Sequence, residues 1–190
     1  EIVEILDNSS RNLQKLIEQL LDYNRKQADG PIARETVNLA ELVENVVSAH
    51  SLPARAKMMH TELALSERFC EAEPALLVSV LDNLYSNAVH YGAESGNIRI
   101  HSYRHGEQVR IDVINNGEPI PPAERNMIFE PFYQGSHQRK GAVKGSGLGL
   151  SIARDCVRQM QGELSLVDDK SGLICFRITL PVAESGKNNV

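Results

Sequence analysis

Three short groups of residues in this sequence have the types and spacing that chemistry needs. Gly145-Ser146-Gly147-Leu148-Gly149-Leu150 is a glycine-rich turn running into a helical pattern. Glycines let backbone amides approach an anion, and the unpaired N–H groups and dipole at a helix N-terminus favour negative charge, so the chemistry is that of holding a phosphate. The turn is not a Walker loop, since no Gly-Lys-Ser/Thr follows, nor a dinucleotide fingerprint, since no strand immediately precedes it. By itself it serves a flexible connector equally well. Asn83 and Asn87 stand one turn apart on a second helical stretch, with Tyr91 one turn beyond. Amide oxygens are hard neutral ligands, and Mg²⁺ carried by a nucleotide takes only one or two protein oxygens beside phosphates and water. A solvated helix face or a buried amide network uses the same residues. The third group, Asn115-Asn116-Gly117-Glu118-Pro119-Ile120, ends a strand pattern, where a polar side chain can face a planar base.

The elements that position these groups follow from periodicity. Ile2, Leu6, Ser9, Leu13, Leu16, Leu20 and Tyr23 alternate four and three steps, a heptad seam that Ile5, Ile17 and Leu21 widen into the stripe of a bundle helix. Asp29-Gly30-Pro31 stops it. A core helix of the following domain would show a similar stripe, but a seam this regular more often serves helix-to-helix packing. Thr36 to Leu39 predicts a short strand, and Leu39, Leu42, Val43, Val46 and Val47 an amphipathic helix. His60 to Leu65 and Arg68 to Ala72 predict strands, and Leu76, Leu77, Val80, Leu81, Leu84, Tyr85 and Ala88 form the apolar face of the asparagine-bearing helix. Alternation at Ile98, Ile100, Ser102 and at Val109, Ile111, Val113 predicts a hairpin turning at Arg104-His105-Gly106-Glu107. Pro119 to Pro122 precede a short helix ending near Phe129, and Gln134 to Gly147, glycine-rich and basic, reads as a mobile loop. Gly147 to Met160 restores helical periodicity, and a last hairpin pairs Glu163 to Val167 with Leu173 to Leu180 before a disordered tail. This order of elements predicts an α+β sandwich with a mixed, mostly antiparallel sheet, preceded by one long bundle helix.

Composition narrows the function. Twenty lysines and arginines against 25 acidic residues leave a net charge of −5, which argues against a nucleic-acid partner. The longest apolar runs are a few residues, too short for a membrane span within this sequence. Cys70, Cys156 and Cys175 are scattered without zinc or redox spacing and fit a reducing, cytosolic compartment. The sequence opens at Glu1 inside a helical pattern, which reads as a piece of something longer.

Taken in order, the asparagine helix, the strand-end Asn-Gly turn, Ile128-Phe129-Glu130-Pro131-Phe132, the basic loop and Gly-x-Gly-Leu-Gly-Leu resemble the N, G1, F and G2 boxes of bacterial two-component sensor histidine kinases. The stretch Phe132 to Lys144 is similar to one proteobacterial group of these kinases. The resemblance implies a GHKL (Bergerat-type) ATP-binding domain over residues 31–181, the second helix of a dimerisation and phosphoacceptor hairpin over 1–30, and a tail over 182–190. It implies ATP and Mg²⁺ as cofactors, with Asn87 as the Mg²⁺ ligand, Asn83 facing the phosphates and Tyr91 flanking the adenine. Asn115, Gly117 and Ile120 would line the base subsite, and Phe129 and Phe132 would anchor the base of the loop, although two phenylalanines this close also suit a core. Gly145, Gly147, Leu148 and Gly149 would carry the phosphate contacts, with Arg139, Lys140 and Lys144 as counter-charges or simply a solvated basic loop.

Two positions depart from the family's pattern. Asn115 stands where the G1 box carries an aspartate, and Pro119 where it carries its second glycine. An amide oxygen still accepts a hydrogen bond from an amino group, but without the charge assistance, so nucleotide affinity is expected to fall roughly ten- to a hundredfold. His90 stands where the N box often has lysine, which replaces a fixed charge by one titrating near about 6.5, unless His90 is only a partly buried polar residue. None of His50, His60, His90, His101, His105 and His137 is followed by an acidic residue as in the family's phosphoacceptor box. The expectation is therefore nucleotide binding without self-phosphorylation. The parent, a dimer through the bundle helix, would phosphorylate a histidine and relay the group to an aspartate of a response-regulator receiver domain. It would be membrane-anchored only through a preceding region, with this part on the cytoplasmic side. The alternatives are a pseudokinase acting as a dimerisation module and another GHKL ATPase.

Overall fold

The computed structural model describes residues 32–135, 146–167 and 172–183. The expected heptad helix, Arg139, Lys140, Lys144 and Gly145 of the basic loop, and residues 184–190 lie outside the described residues.

Strand β1 (Glu35–Asn38) is short because Asn38 turns out of it to cap the next helix, its side chain accepting a hydrogen bond from the Ala40 N–H at 3.1 Å. Helix α1 (Leu39–Ala49) buries Leu39, Leu42, Val43 and Val46 on one stripe, as the periodicity predicts. A second helix, α2 (Ser51–Ala56), was not legible in the sequence, since six residues are too few for a repeat to show. It ends on Met58 at φ +54°, with the Met58 and Met59 N–H groups donating to the carbonyls of Arg55 and Ala54 at 2.9 and 3.0 Å. That left-handed residue closes the helix where glycine is usual.

Strands β2 (His60–Leu65) and β3 (Phe69–Ala72) lead to the long helix α3 (Pro74–Tyr91). Its start has two causes: Pro74 sits where its missing N–H costs nothing, and the Glu73 carboxylate accepts from the Ala75 and Leu76 N–H groups at 3.2 and 2.7 Å. Strands β4 (Asn97–His105) and β5 (Gln108–Asn116) form the expected hairpin, turning on Gly106 at φ +63°. A single 3₁₀ turn (Met127–Phe129), helix α4 (Gly149–Gln159) and the hairpin of β6 (Glu163–Val167) with β7 (Leu173–Pro181) complete the described chain. Two boundaries differ from the sequence reading. Gly147, at φ +71°, lies outside the helix it was expected to open. Order also continues past residue 181, because the Val182 N–H donates to the Glu107 carbonyl at 3.2 Å and Val182 bridges Cys70.

The main sheet runs β2-β4-β5-β7-β6, with β2 parallel to β4 and every other pairing antiparallel, while β1 and β3 make a separate antiparallel pair. Ile98, Ile100, Val109, Ile111, Val113, Phe176 and Ile178 share the inner face and form one core with the apolar stripes of α1, α3 and α4. The opposite face is polar. There Asp112, opposite Arg177 in register, receives both arms of its guanidinium at 2.7 and 2.8 Å. This is the expected sandwich, and its inner layer fixes the ends of α3, β5 and α4 relative to one another.

Candidate functional site

On α3, the Asn83 side-chain amide donates to the Ser79 carbonyl at 2.8 Å, which turns its oxygen away from its own helix. That oxygen lies where a Cβ on Gly149, the first residue of α4, would come within 2.8 Å of it. With glycine there, α4 begins against the Asn83 amide without pushing it aside. The Asn87 side chain, one turn on and half-buried, has no hydrogen-bond partner among the described residues. The start of α4 is left open: Leu148 offers no side-chain cap, and the first helical bond is Ile152 N–H to the Leu148 carbonyl at 3.0 Å. The N–H groups of Gly149 and Leu150 therefore have no partner in their own helix. Ser146 and Ser151 brace the corner, Ser146 Oγ accepting from the Leu148 N–H at 3.2 Å and Ser151 Oγ donating to the Leu148 carbonyl at 2.9 Å.

Phe132 and Gly147 meet through a hydrogen bond from the Phe132 N–H to the Gly147 carbonyl at 2.9 Å. Both residues have positive φ, +63° and +71°. A Cβ on Gly147 would lie 2.7 Å from the Phe132 carbonyl carbon and 2.8 Å from the Tyr133 oxygen, so backbone passes against backbone here. The two phenylalanines expected to act together are separated. Phe129 is a core residue, edge-to-face on Phe176 at 6.2 Å, with the Arg154 guanidinium over its ring at 5.3 Å. Phe132 is 69% exposed.

At the other end of α3, main chain stitches helix to sheet. The Ala93 N–H donates to the Asn116 carbonyl at 2.8 Å, Gly92 pairs with Gly117, and the Asn97 N–H donates to Asn116 Oδ1 at 2.9 Å. Asn115 is buried, at 3% exposure, and its Nδ2 donates to the Asn116 carbonyl at 3.1 Å. The local bond thus engages one N–H of the amide and fixes its orientation, leaving the oxygen as an acceptor for a ligand. Gly117 cannot be larger without crowding Asn115 Nδ2 at 3.0 Å and the Tyr91 carbonyl at 3.1 Å. Ile120 packs against the core, its carbonyl accepting from Arg125 Nε at 3.4 Å.

Tyr91 is 48% exposed and meets the His90 ring edge-to-face at 4.6 Å, and partial burial raises its phenol pKa. For His90 the sequence offers either a charge titrating at about 6.5 or a partly buried polar residue, and its surroundings perturb the imidazole. Desolvation, and then the Lys57 ammonium, lower its pKa from the ordinary value of 6.5, which disfavours a positive charge on the ring. Lys57 itself went unremarked in the sequence. Its Nζ donates to the carbonyls of Val89 at 2.8 Å and His90 at 2.6 Å and reaches that of Gly92 at 3.4 Å. Asn116 was also missed as the hub of the β5 end. No sequence signal marks these contacts, because the partners lie 32 to 35 residues away for Lys57 and 19 for Asn116.

The structure thus brings Asn83, Gly147, Leu148 and Gly149 to one corner and His90, Tyr91, Asn115 and Gly117 to another, with Asn87 between them on α3. Among the described residues no three histidine, cysteine, aspartate or glutamate side chains gather into a metal-ligating group. No described helix is long and apolar enough to cross a membrane.

An asparagine-faced helix meeting a glycine-opened helix over a mixed sheet defines a GHKL-type ATP-binding catalytic domain. The chain belongs to the family of histidine kinase-, DNA gyrase B- and HSP90-like ATPases, whose model matches residues 72–184. It is 73% identical over 187 residues to the sensor histidine kinase GlrK of Escherichia coli (strain K12), covering 98% of this chain and 39% of that protein. It therefore spans about two fifths of the length of GlrK and of the similar sensor histidine kinase QseE of Escherichia coli O157:H7. The nucleotide-free catalytic domain of the histidine kinase ThkA superposes with a TM-score of 0.70 at 28% identity, covering 80% of this chain and all of that one. ThkA in complex with the response regulator TrrA shares the fold, with a TM-score of 0.74 at 24% identity over 94% of this chain and 50% of that one.

Proposed function

We propose that this chain is the part of a sensor histidine kinase that holds Mg-ATP for phosphoryl transfer to a histidine supplied elsewhere in the full-length protein. The observation that carries this reading is the meeting of Asn83 with Gly149. It puts an amide oxygen beside the uncapped N–H groups of α4, where phosphate oxygens gain helix-terminal donors and a polar neighbour. Asn83, Asn87 and Tyr91 lie along one line of α3 about 12 Å long at 1.5 Å per residue. In this reading the phosphates sit toward Asn83, Gly147, Leu148 and Gly149, and the adenine lies toward Tyr91, Gly117, Ile120 and the Asn115 oxygen. The Asn87 amide, which has no hydrogen-bond partner among the described residues, would be the protein ligand for Mg²⁺, which when bound neutralises phosphate charge. Arg139, Lys140, Lys144 and Gly145 remain assigned from sequence, as counter-charges and phosphate contacts, and Phe132 stands at the entrance of their segment.

None of the six histidines has the sequence context of a phosphoacceptor, so the nucleophile belongs outside these 190 residues. A receiver-domain aspartate of a response regulator is the final acceptor, a partner class that the ThkA–TrrA complex supports. Residues 1–30, which lie outside the described residues, are assigned from sequence alone to the dimerising bundle helix, and a domain that uses ATP would lie on the cytoplasmic side of a membrane-anchored parent.

Calorimetric titration of Mg-ADP and a non-hydrolysable ATP analogue into the chain and its Asn115→Asp variant tests the reading. Both proteins should bind, the variant about tenfold tighter through a charge-assisted contact with the adenine amino group. The variant should also melt lower, because its carboxylate faces the Asn116 carbonyl without an N–H to offer. Binding by neither protein overturns the reading in favour of a non-catalytic interaction module.

A further inference from the structure

Asn83, Asn87, Tyr91, Asn115 and Gly149 lie on α3, β5 and the start of α4, yet the last turn of α3 is held from outside. Lys57 lies just beyond α2, and its ammonium sits across the end of α3, donating to the carbonyls of Val89 and His90 and reaching that of Gly92. These are carbonyls that a helix C-terminus leaves without intrahelical partners, at the negative end of its dipole. Backbone supports the same placement. The left-handed Met58 turns the chain sharply after Lys57, the Ser95 N–H donates to the Lys57 carbonyl at 2.9 Å, and the His60 N–H donates to the Gly96 carbonyl at 3.0 Å. Met59 packs so closely on Gly92 that a Cβ there would lie 2.5 Å from its methyl carbon. The turn after α2 therefore grips the α3 exit through both side chain and main chain.

That exit carries His90 and Tyr91 and continues into Gly92 and Ala93, which pair with Gly117 and Asn116 beside Asn115. We propose that Lys57 is a positioning residue for the nucleotide site: by clamping the carbonyls of Val89, His90 and Gly92 it sets the last turn of α3, and with it Tyr91 and the pairing that holds the Asn115–Gly117 end of β5. The consequence for nucleotide affinity rests on the function proposed above, whereas the consequence for the conformation of the helix end does not. Lys57 does not touch the ligand.

The test compares Lys57→Met, which keeps the apolar stem and removes the ammonium, with Lys57→Arg, which keeps the charge and the donors. Two readouts are taken on the whole chain: Mg-ADP affinity by calorimetry, and the ring-proton NMR shifts of His90 and Tyr91, whose edge-to-face contact reports the last turn. Lys57→Met should weaken Mg-ADP roughly tenfold, the scale of one lost charged hydrogen bond, and should move both sets of ring shifts. Lys57→Arg should restore affinity to within about twofold and return the shifts toward wild type. Should the methionine variant not fold, Lys57→Gln, which retains a neutral NH₂ donor group without the charge, is measured in its place. Unchanged shifts and affinity in the neutral variant, or equal losses in the neutral and arginine variants, would overturn the proposal. Changed shifts in a protein whose wild type binds no Mg-ADP would uphold the positioning role and refute the nucleotide reading instead.

Discussion

Replacing Gly149 by alanine probes the corner on which the proposed phosphate site rests. The new Cβ would lie 2.8 Å from Asn83 Oδ1, and ordinary contact begins near 3.4 Å, so the amide oxygen must retreat by about 0.6 Å. The retreating atom ends a flexible side chain, so folding is hardly opposed. Loss of the Asn83 bond to the Ser79 carbonyl costs about 1 kcal/mol. Alanine returns up to about 1 kcal/mol over glycine in a helix. Thermal stability should therefore change by no more than a few degrees. Affinity should respond differently, because the displaced amide no longer faces the α4 N–H groups and the methyl occupies the approach to them. A hydrogen bond to a charged group is worth about 1.5–3 kcal/mol, which corresponds to roughly a ten- to hundredfold loss in Mg-ADP binding. Differential scanning calorimetry and titration on the same preparation read both numbers. Gly147→Ala serves as the contrast: its Cβ would press on the Phe132 and Tyr133 backbone and its φ is +71°, so it should lose stability as well as affinity. A Gly149→Ala protein that binds like wild type would refute the placement of phosphate at this corner.

Two further outcomes follow from groups away from that corner. Asp112→Asn breaks a paired guanidinium on the far face of the sheet, where the Asp112 and Arg177 side chains are 6% and 24% exposed. Losing one partner of a mostly buried pair costs about 3 kcal/mol, or roughly 6–12 °C in Tm for a chain of this size, with Mg-ADP affinity unchanged. A melting point within 2 °C of wild type, on the order of the shift expected for under 1 kcal/mol, would contradict it. His90 gives a pH dependence of defined sign. Its pKa is below 6.5 in the folded chain, so between that lowered value and 6.5 the unfolded chain binds more protons and stability rises with pH. Acidification from pH 7 therefore removes stability, and His90→Gln should flatten that slope in denaturant titrations; an identical slope in both proteins would exclude His90 as its source.

The helices and strands were largely legible because their signals are local. The stripe of α1, the asparagine line of α3 and the alternation of β4 and β5 each lie within a few turns or residue pairs. The short α2 was not legible, and neither was the boundary at Gly147, where pairing with Phe132 rather than helix propensity decides the backbone. Phe129 and Phe132 look equivalent in sequence, yet packing on Phe176 buries one, while the positive φ of the other turns it outward.

What the sequence by itself determined about this protein is the inventory and order of its elements and the kinds of atoms offered to a ligand. Amide oxygens, glycine-opened backbone and strand-end polar groups are properties of residue type and near-neighbour spacing. Only the tertiary structure decided which of these atoms meet. Asn83 faces Gly149, the Asn115 amide is turned by the Asn116 carbonyl, and Lys57 caps a helix more than thirty residues away, beside a His90 whose pKa is lowered first by burial and then by the Lys57 ammonium. Such contacts depend on how the sheet and its helices pack, and desolvation and Coulomb forces act through space once that packing has formed.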